Sequence, residues 1–127
     1  MRVSAVERRL GEPVVAAARF RTGRPATGGG DWITTLLTPV AVVMARRDED
    51  LPGRVVVAVT ESRVHLFATS GREAGAWGRG HVQTSAQRSR DRWELWISPP
   101  GDRPAFGLRG RRGPATNAVV DALSAPP

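Results

Sequence analysis

Hydrophobic and polar positions along the chain predict mainly extended structure. Apolar and β-branched residues occur in short unbroken runs or at every second position, which is typical of buried and half-buried strands. Turns rich in Gly, Pro, Asp and Ser separate the runs, so consecutive strands are expected to pair antiparallel. The predicted strands cover residues 14–21, 55–60, 64–69, 74–80, 81–88, 92–98 and 103–109.

Helical periodicity is found at both ends of the chain and in one internal segment. Ser4 and Glu7 have capping-box spacing, which predicts a short N-terminal helix. Apolar residues at helical spacing predict a second helix over residues 113–124. Residues 22–50 form an insertion after the first strand, in which a glycine-rich loop precedes an apolar helix that Pro39 would kink.

Together these elements predict an α+β fold that is mainly β. We expect a small antiparallel barrel or sandwich of about seven strands, capped by the C-terminal helix and extended by the short N-terminal helix and the helical insertion. Of the 127 residues, 40% are hydrophobic, which is enough for one buried core. Residues 1–127 are therefore expected to form a single domain.

Composition removes several kinds of chemistry. Cysteine and lysine are both absent, which excludes disulfides, thiolate nucleophiles and lysine Schiff bases. All 19 basic residues are therefore arginines, and against 12 acidic residues they give a net charge of +7. Such an excess predicts an anionic partner, but arginine without lysine is also typical of GC-rich coding sequences. Both explanations stay open at this point.

No apolar segment is long enough to cross a membrane as a helix. The longest, residues 32–45, would rise only ~21 Å as a helix, against a hydrocarbon core of ~30 Å. The N-terminus also lacks the apolar stretch of a secretory signal. We therefore expect a cytoplasmic protein, with peripheral attachment to a membrane surface as the alternative.

Two arginine clusters are candidate binding sites for an anion or a partner. Arg88, Arg90 and Arg92 lie two residues apart, so one extended strand would present all three on a single face. Trp96 would lie beyond them and stack on a base. The second cluster lies between the last strand and the C-terminal helix, where backbone N–H groups would also face an anion. It contains Arg109, Arg111 and Arg112. For both clusters the alternative is an ordinary solvated surface.

Catalytic residues, metal ligands and cofactors are not expected. His65 and His81 are too far apart in sequence for a helical metal-binding pair, and no cysteine is present. The acidic tract 48–50 falls in a predicted loop, where a general acid would be solvated. Trp77, between glycines, either lines a ligand cleft or fills space in the core.

Two strand-forming stretches have counterparts in a known domain family. One is VAVTESRVHLF at residues 57–67, and the other is GEPVVAAARFR at residues 11–21. They resemble the central hairpin and the first strand of bacterial pleckstrin-homology-like and GRAM-like domains. The resemblance implies a binding or scaffolding module and not an enzyme. Some pleckstrin-homology domains hold inositol phosphates through basic residues at positions similar to Arg19, Arg21 and Arg24, although the lysine of that motif is missing here.

These observations predict a non-catalytic module whose first expected partner is another protein, bound at an exposed strand edge or on the basic strand face. The alternative is electrostatic binding of anionic lipid headgroups or nucleic acid through the arginine clusters. A small-molecule enzyme ranks third, because it would need a deep pocket with a buried carboxylate or histidine near Trp77.

Overall fold

Seven antiparallel strands and two helices make up the described part of the protein. The computed structural model describes residues 3–22, 53–101 and 105–125. The strands are β1 (Val14–Thr22), β2 (Arg54–Thr60), β3 (Arg63–Ala68), β4 (Glu73–Gly78), β5 (Gln83–Ser89), β6 (Arg92–Ser98) and β7 (Phe106–Arg111). The helices are α1 (Val3–Leu10) and α2 (Pro114–Ser124). The expected mainly β fold with a short N-terminal helix and a C-terminal helix is therefore confirmed.

The strands form one sheet in the order β4-β3-β2-β1-β7-β6-β5. Its two halves meet where β1 pairs with β7, and among the described residues this pairing joins Arg21 to Arg109 and Thr22 to Leu108. β4 and β5 are the edge strands, and within the described residues they do not pair with each other. The sheet is therefore open, and the barrel form of the expected architecture is not adopted.

One face of the sheet packs against α2 and contains the larger core. Alternate residues of β2, Val55, Val57 and Val59, point into this core with Leu66 of β3 and Val119 of α2. All five side chains are fully buried. Burial of a side chain of this size stabilises the fold by about 1.5–3 kcal/mol. The C-terminal helix covers the sheet as predicted, but its buried residues are Thr116, Val119 and Val120, whereas Ala115 and Ala118 of the predicted apolar face are exposed.

The opposite face of β2 and β3 is covered by α1. Val6 of α1 packs with Ala17, Val56 and Phe67, and all four side chains are buried. The guanidinium carbon of Arg9 lies 5.6 Å from the centre of the Phe67 ring, a cation–π contact. Because both faces of β2 are covered, its sequence is apolar at consecutive positions, as expected for a central strand.

Polar contacts hold α2 in place on the sheet. Trp93 Nε1 donates a hydrogen bond to Asn117 Oδ1 at 2.7 Å. The Trp93 side chain is half-buried, although the alternation in residues 92–98 predicts a core position for it. At the other end of α2, the guanidinium group of Arg79 donates to the carbonyl oxygen of Ala122. It also donates to the carbonyl oxygen of Thr60 at 3.4 Å, so one side chain joins the β2–β3 turn to α2.

Some element boundaries differ from the prediction. β5 begins at Gln83, because Arg79–His81 forms a 3₁₀ turn that interrupts the predicted run. β7 covers Phe106–Arg111, two residues beyond the predicted end of the strand. Most of the predicted insertion, residues 23–50, lies outside the described residues. In the part of the chain that the structure describes, no helix combines the length and apolar character needed to cross a bilayer.

Candidate anion-binding site

Strand register brings arginines from four strands onto one face of the sheet. Arg21 on β1 lies opposite Arg54 on β2 and opposite Arg109 on β7. Arg92 on β6 lies opposite Arg111 on β7. Cross-strand partners share a face of the sheet, and residues two apart in one strand do so as well. The face opposite α2 therefore presents a connected group of arginines.

These arginines line one cleft beside the β1–β7 junction. The cleft has a volume of about 500 Å³ and is lined by Arg19, Arg21, Arg54, Arg92, Arg109 and Arg111, with Phe20, Thr69 and Gly110. Small-molecule sites in proteins occupy roughly 300–1,000 Å³, so the cleft is large enough for a compact ligand. All of the arginine side chains are exposed except that of Arg109, which is half-buried.

A rigid packing contact forms part of the lining of the cleft. The Phe20 side chain is 2% exposed and packs against the backbone at Gly110. A Cβ atom at Gly110 would lie 2.8 Å from Phe20 Cδ1 and 3.3 Å from the carbonyl oxygen of Arg19. Only glycine permits this close approach. The arginines on either side are therefore held by a fixed backbone arrangement.

The cleft is strongly positive. Among the described residues, no carboxylate lies within 4.0 Å of the guanidinium groups of Arg21, Arg54, Arg109 or Arg111. Arg92 Nε lies 4.0 Å from Asp91 Oδ1, and because both side chains are well exposed this pair is weak.

The buried side chain of Glu94 marks the end of the positive face on β6. Glu94 is 3% exposed and lies opposite Arg109 in register. The next residue in this row, on β5, is Gln87. Across the sheet the row therefore runs from three arginines to an acid and an amide.

The first predicted cluster, Arg88, Arg90 and Arg92, does not form a single face, and this prediction is wrong. The two strands β5 and β6 meet at a tight turn in which Arg90 has a φ of 52°. Arg88 lies opposite Trp93, on the α2 side of the sheet, whereas Arg92 lies opposite Ser89 on the other side. Of the three, only Arg92 lines the cleft.

Trp96 does not offer a ring for stacking. The alternation in residues 92–98 places it on the same face as Arg92, as predicted, but its side chain is 4% exposed. The prediction assumed that this face is solvated along the whole of β6, and it is buried at both Glu94 and Trp96. A base therefore cannot reach the indole without a rearrangement of the sheet.

The second predicted cluster is only partly brought together. Arg109 and Arg111 line the cleft, but Arg112 is directed to the β5–β6 turn, where its guanidinium group donates to the carbonyl oxygen of Arg90 at 3.2 Å. The N–H of Gly113 donates to Thr116 Oγ1 at 3.0 Å, within the first turn of α2. The backbone N–H of Gly113, which the prediction offered to an anion, is therefore already hydrogen-bonded.

The other residues considered from sequence have separate outcomes. Arg19 and Arg21 line the cleft, and Arg24 lies outside the described residues. Sequence reasoning missed Arg54, because only the pairing of β1 with β2 reveals that it is opposite Arg21. Trp77 packs on Phe106 with ring centres 6.2 Å apart, which favours the space-filling role.

Metal-ligating side chains do not cluster in the described ranges. There, no group of three or more His, Asp or Glu residues is arranged to hold a metal ion. No protein-family model matches the chain, and no curated protein matches it. The resemblance to pleckstrin-homology-like domains therefore stays a prediction, and the cleft is the basis for a functional proposal.

Proposed function

We propose that this protein is a non-catalytic binding module that holds a polyanion in its arginine cleft. The observation that supports the proposal is the convergence of six arginines from four strands on one cleft of about 500 Å³. A surface charged only by compositional bias would scatter its arginines. Here the strand register places Arg21 between Arg54 and Arg109, which is electrostatically unfavourable unless an anion is present.

Guanidinium groups match the geometry of phosphate oxygens, as they do that of carboxylate oxygens. Each presents planar N–H donors that can bind two oxygens of a phosphate at once, and charge-assisted hydrogen bonds of this kind are stronger than neutral ones. Phosphate is the shared chemistry of anionic lipid headgroups and nucleic acids. Both are therefore tested as sources of the polyanion.

The experiment compares two double variants that remove the same charge. Arg21→Gln with Arg109→Gln removes two cleft arginines, whereas Arg72→Gln with Arg88→Gln removes two exposed arginines elsewhere. Binding to phosphatidylglycerol vesicles and to duplex DNA is measured for each. We expect the cleft variant to bind one of them at least about tenfold more weakly than the native protein, and the control variant to bind nearly as well.

Equal losses in the two variants would show that only net charge matters and would overturn the proposal. For DNA, the salt dependence gives a second readout, since each phosphate contact adds ~0.9 to the logarithmic slope. The cleft variant should therefore have a shallower slope than the control.

Binding of another protein stays a prediction. β4 and β5 are the edge strands at which an added strand from a partner would pair. Kinship with pleckstrin-homology-like domains is likewise proposed, supported by the seven antiparallel strands followed by a helix.

A further inference from the structure

Among the residues that the structure describes, the positive surface ends after a short distance in both directions across the sheet. Arg54, Arg21 and Arg109 lie on three neighbouring strands, which spans ~10 Å at the usual strand spacing. On the β6 side the row meets Glu94. On the side of β2 and β3, α1 covers the same face through Val6. An extended polyanion that crossed the strands would therefore lose contact with the arginines within a few ångströms of the cleft.

Three further arginines of the described ranges, Arg79, Arg88 and Arg112, do not extend the cleft into a stripe. Arg88 lies on the opposite face of the sheet, and Arg112 is directed to the β5–β6 turn. The guanidinium group of Arg79 donates a hydrogen bond to the carbonyl oxygen of Ala122 in α2. A nucleic-acid groove would continue along the polymer, with several phosphate contacts in succession. The described surface concentrates its charge at one place instead.

The described lining of the cleft offers hydrogen-bond donors and no exposed aromatic face. Phe20, the aromatic residue in its lining, is 2% exposed, and Trp96 on the neighbouring strand is 4% exposed. Recognition of single-stranded nucleic acid relies on bases stacking on exposed rings. The described lining instead provides the guanidinium groups and the Thr69 side chain, which suit phosphate oxygens.

From these limits we infer that the cleft binds a linear oligophosphate group, a di- or triphosphate, free or as the tail of a nucleotide. This inference rests on the proposed function and narrows its ligand. Phosphates joined through shared oxygens place several negative charges within ~10 Å, the span of the arginine row. The second row, containing Arg92 and Arg111, would contact the same phosphates from the other side of the cleft.

The test is calorimetric titration with tripolyphosphate, pyrophosphate, orthophosphate and citrate at one ionic strength. We expect affinity to rise with the number of linked phosphates, and citrate to bind at least about tenfold more weakly than tripolyphosphate. ATP should bind about as well as tripolyphosphate, because the cleft provides no ring for its base. In the Arg21→Gln, Arg109→Gln variant, tripolyphosphate affinity should fall at least about tenfold, and in the Arg72→Gln, Arg88→Gln control it should change little.

The outcomes separate this inference from the proposed function. If vesicles or DNA bind through Arg21 and Arg109 but tripolyphosphate neither binds nor competes, the inference fails and the proposed function stands. If no polyanion distinguishes the cleft variant from the control, both fail. Citrate binding as tightly as tripolyphosphate would also overturn the inference. Thermal unfolding of both double variants without ligand verifies that they are folded.

Discussion

At the residue scale, His65 has an environment that disfavours its charged form. The side chain lies between α1 and the sheet, is 6% exposed, and stacks on Phe67 with ring centres 6.0 Å apart. Its Nε2 lies 3.8 Å from Glu12 Oε1 and its Nδ1 lies 3.9 Å from Glu73 Oε1, both longer than a hydrogen bond. Burial lowers the pKa of the imidazole, and Glu73 and Glu12 only partly oppose this effect, while Arg63 adds to it.

The lowered pKa of His65 predicts that stability depends on pH. Below the ordinary pKa of about 6.5, the unfolded chain binds a proton that the folded protein resists. The free energy of unfolding should therefore be highest above about pH 6.5, fall as the pH drops below that value, and level off beneath the folded pKa. Urea unfolding between about pH 5 and pH 8 measures this dependence.

Two single variants test whether His65 causes the pH dependence of stability. His65→Leu should flatten the fall in unfolding free energy below about pH 6.5, because no imidazole is then buried. His81→Leu removes the other histidine and separates its contribution from that of His65. A fall that persists unchanged in His65→Leu would contradict the assignment to this residue.

At the scale of elements, the Arg79 side chain joins the C-terminal end of α2 to the sheet, where Thr84 Oγ1 also donates to the Leu123 carbonyl oxygen at 3.5 Å. Arg79 donates to the Ala122 carbonyl oxygen and to those of Thr60 and Glu61, at 3.4 Å and 3.3 Å. The last carbonyl groups of a helix have no partner within the helix. A positive charge at this end also interacts favourably with the helix dipole. Arg79 therefore satisfies the helix end and ties it to the β2–β3 turn.

Replacing Arg79 with methionine should loosen the end of α2. The variant keeps most of the side-chain bulk but loses the donors, so we expect the free energy of unfolding to fall by about 1–2 kcal/mol. Amide hydrogen exchange should accelerate most in the last turn, at Leu123 and Ser124. Arg72→Met, at an exposed position in the β3–β4 turn, is the matched control. Equal acceleration across the whole sheet would contradict a local role.

Element positions and five of the six cleft arginines were predictable from sequence, whereas their convergence on one cleft was not. Apolar alternation is a local property of the sequence, so it predicted the positions of β2 and β6 closely. The break between β5 and β6 was predicted, but the cluster of Arg88, Arg90 and Arg92 assumed one extended strand across it. Arg90 instead adopts a φ of 52°, which non-glycine residues rarely do, and no Gly or Pro marks the turn. The cleft depends on the register between β1, β2 and β7, and sequence gives no local signal that Arg54, Arg21 and Arg109 are neighbours.

At the scale of the whole molecule, the clustering of positive charge in the cleft should lower the stability of the protein when no anion is bound. The chain has a net charge of +7, and the cleft gathers six arginines on one face. Like charges directly opposite each other on paired strands destabilise a sheet. Without an anion the cleft should therefore weaken the fold, and with one it should stabilise it by mass action.

Neutralising Arg21 should stabilise the protein when no ligand is present. Arg21 faces Arg54 on one side and Arg109 on the other, so Arg21→Gln removes two like-charge pairs. At low salt we expect the free energy of unfolding to rise by about 0.2–1 kcal/mol, measured by urea unfolding in sodium chloride. The gain should shrink toward zero at about 1 M salt, where the screening length falls to ~3 Å. Arg88→Gln, opposite Trp93 and not another arginine, should show little gain at either salt concentration. A gain in Arg21→Gln that is insensitive to salt, or one matched by Arg88→Gln, would mean that repulsion within the cleft does not limit stability.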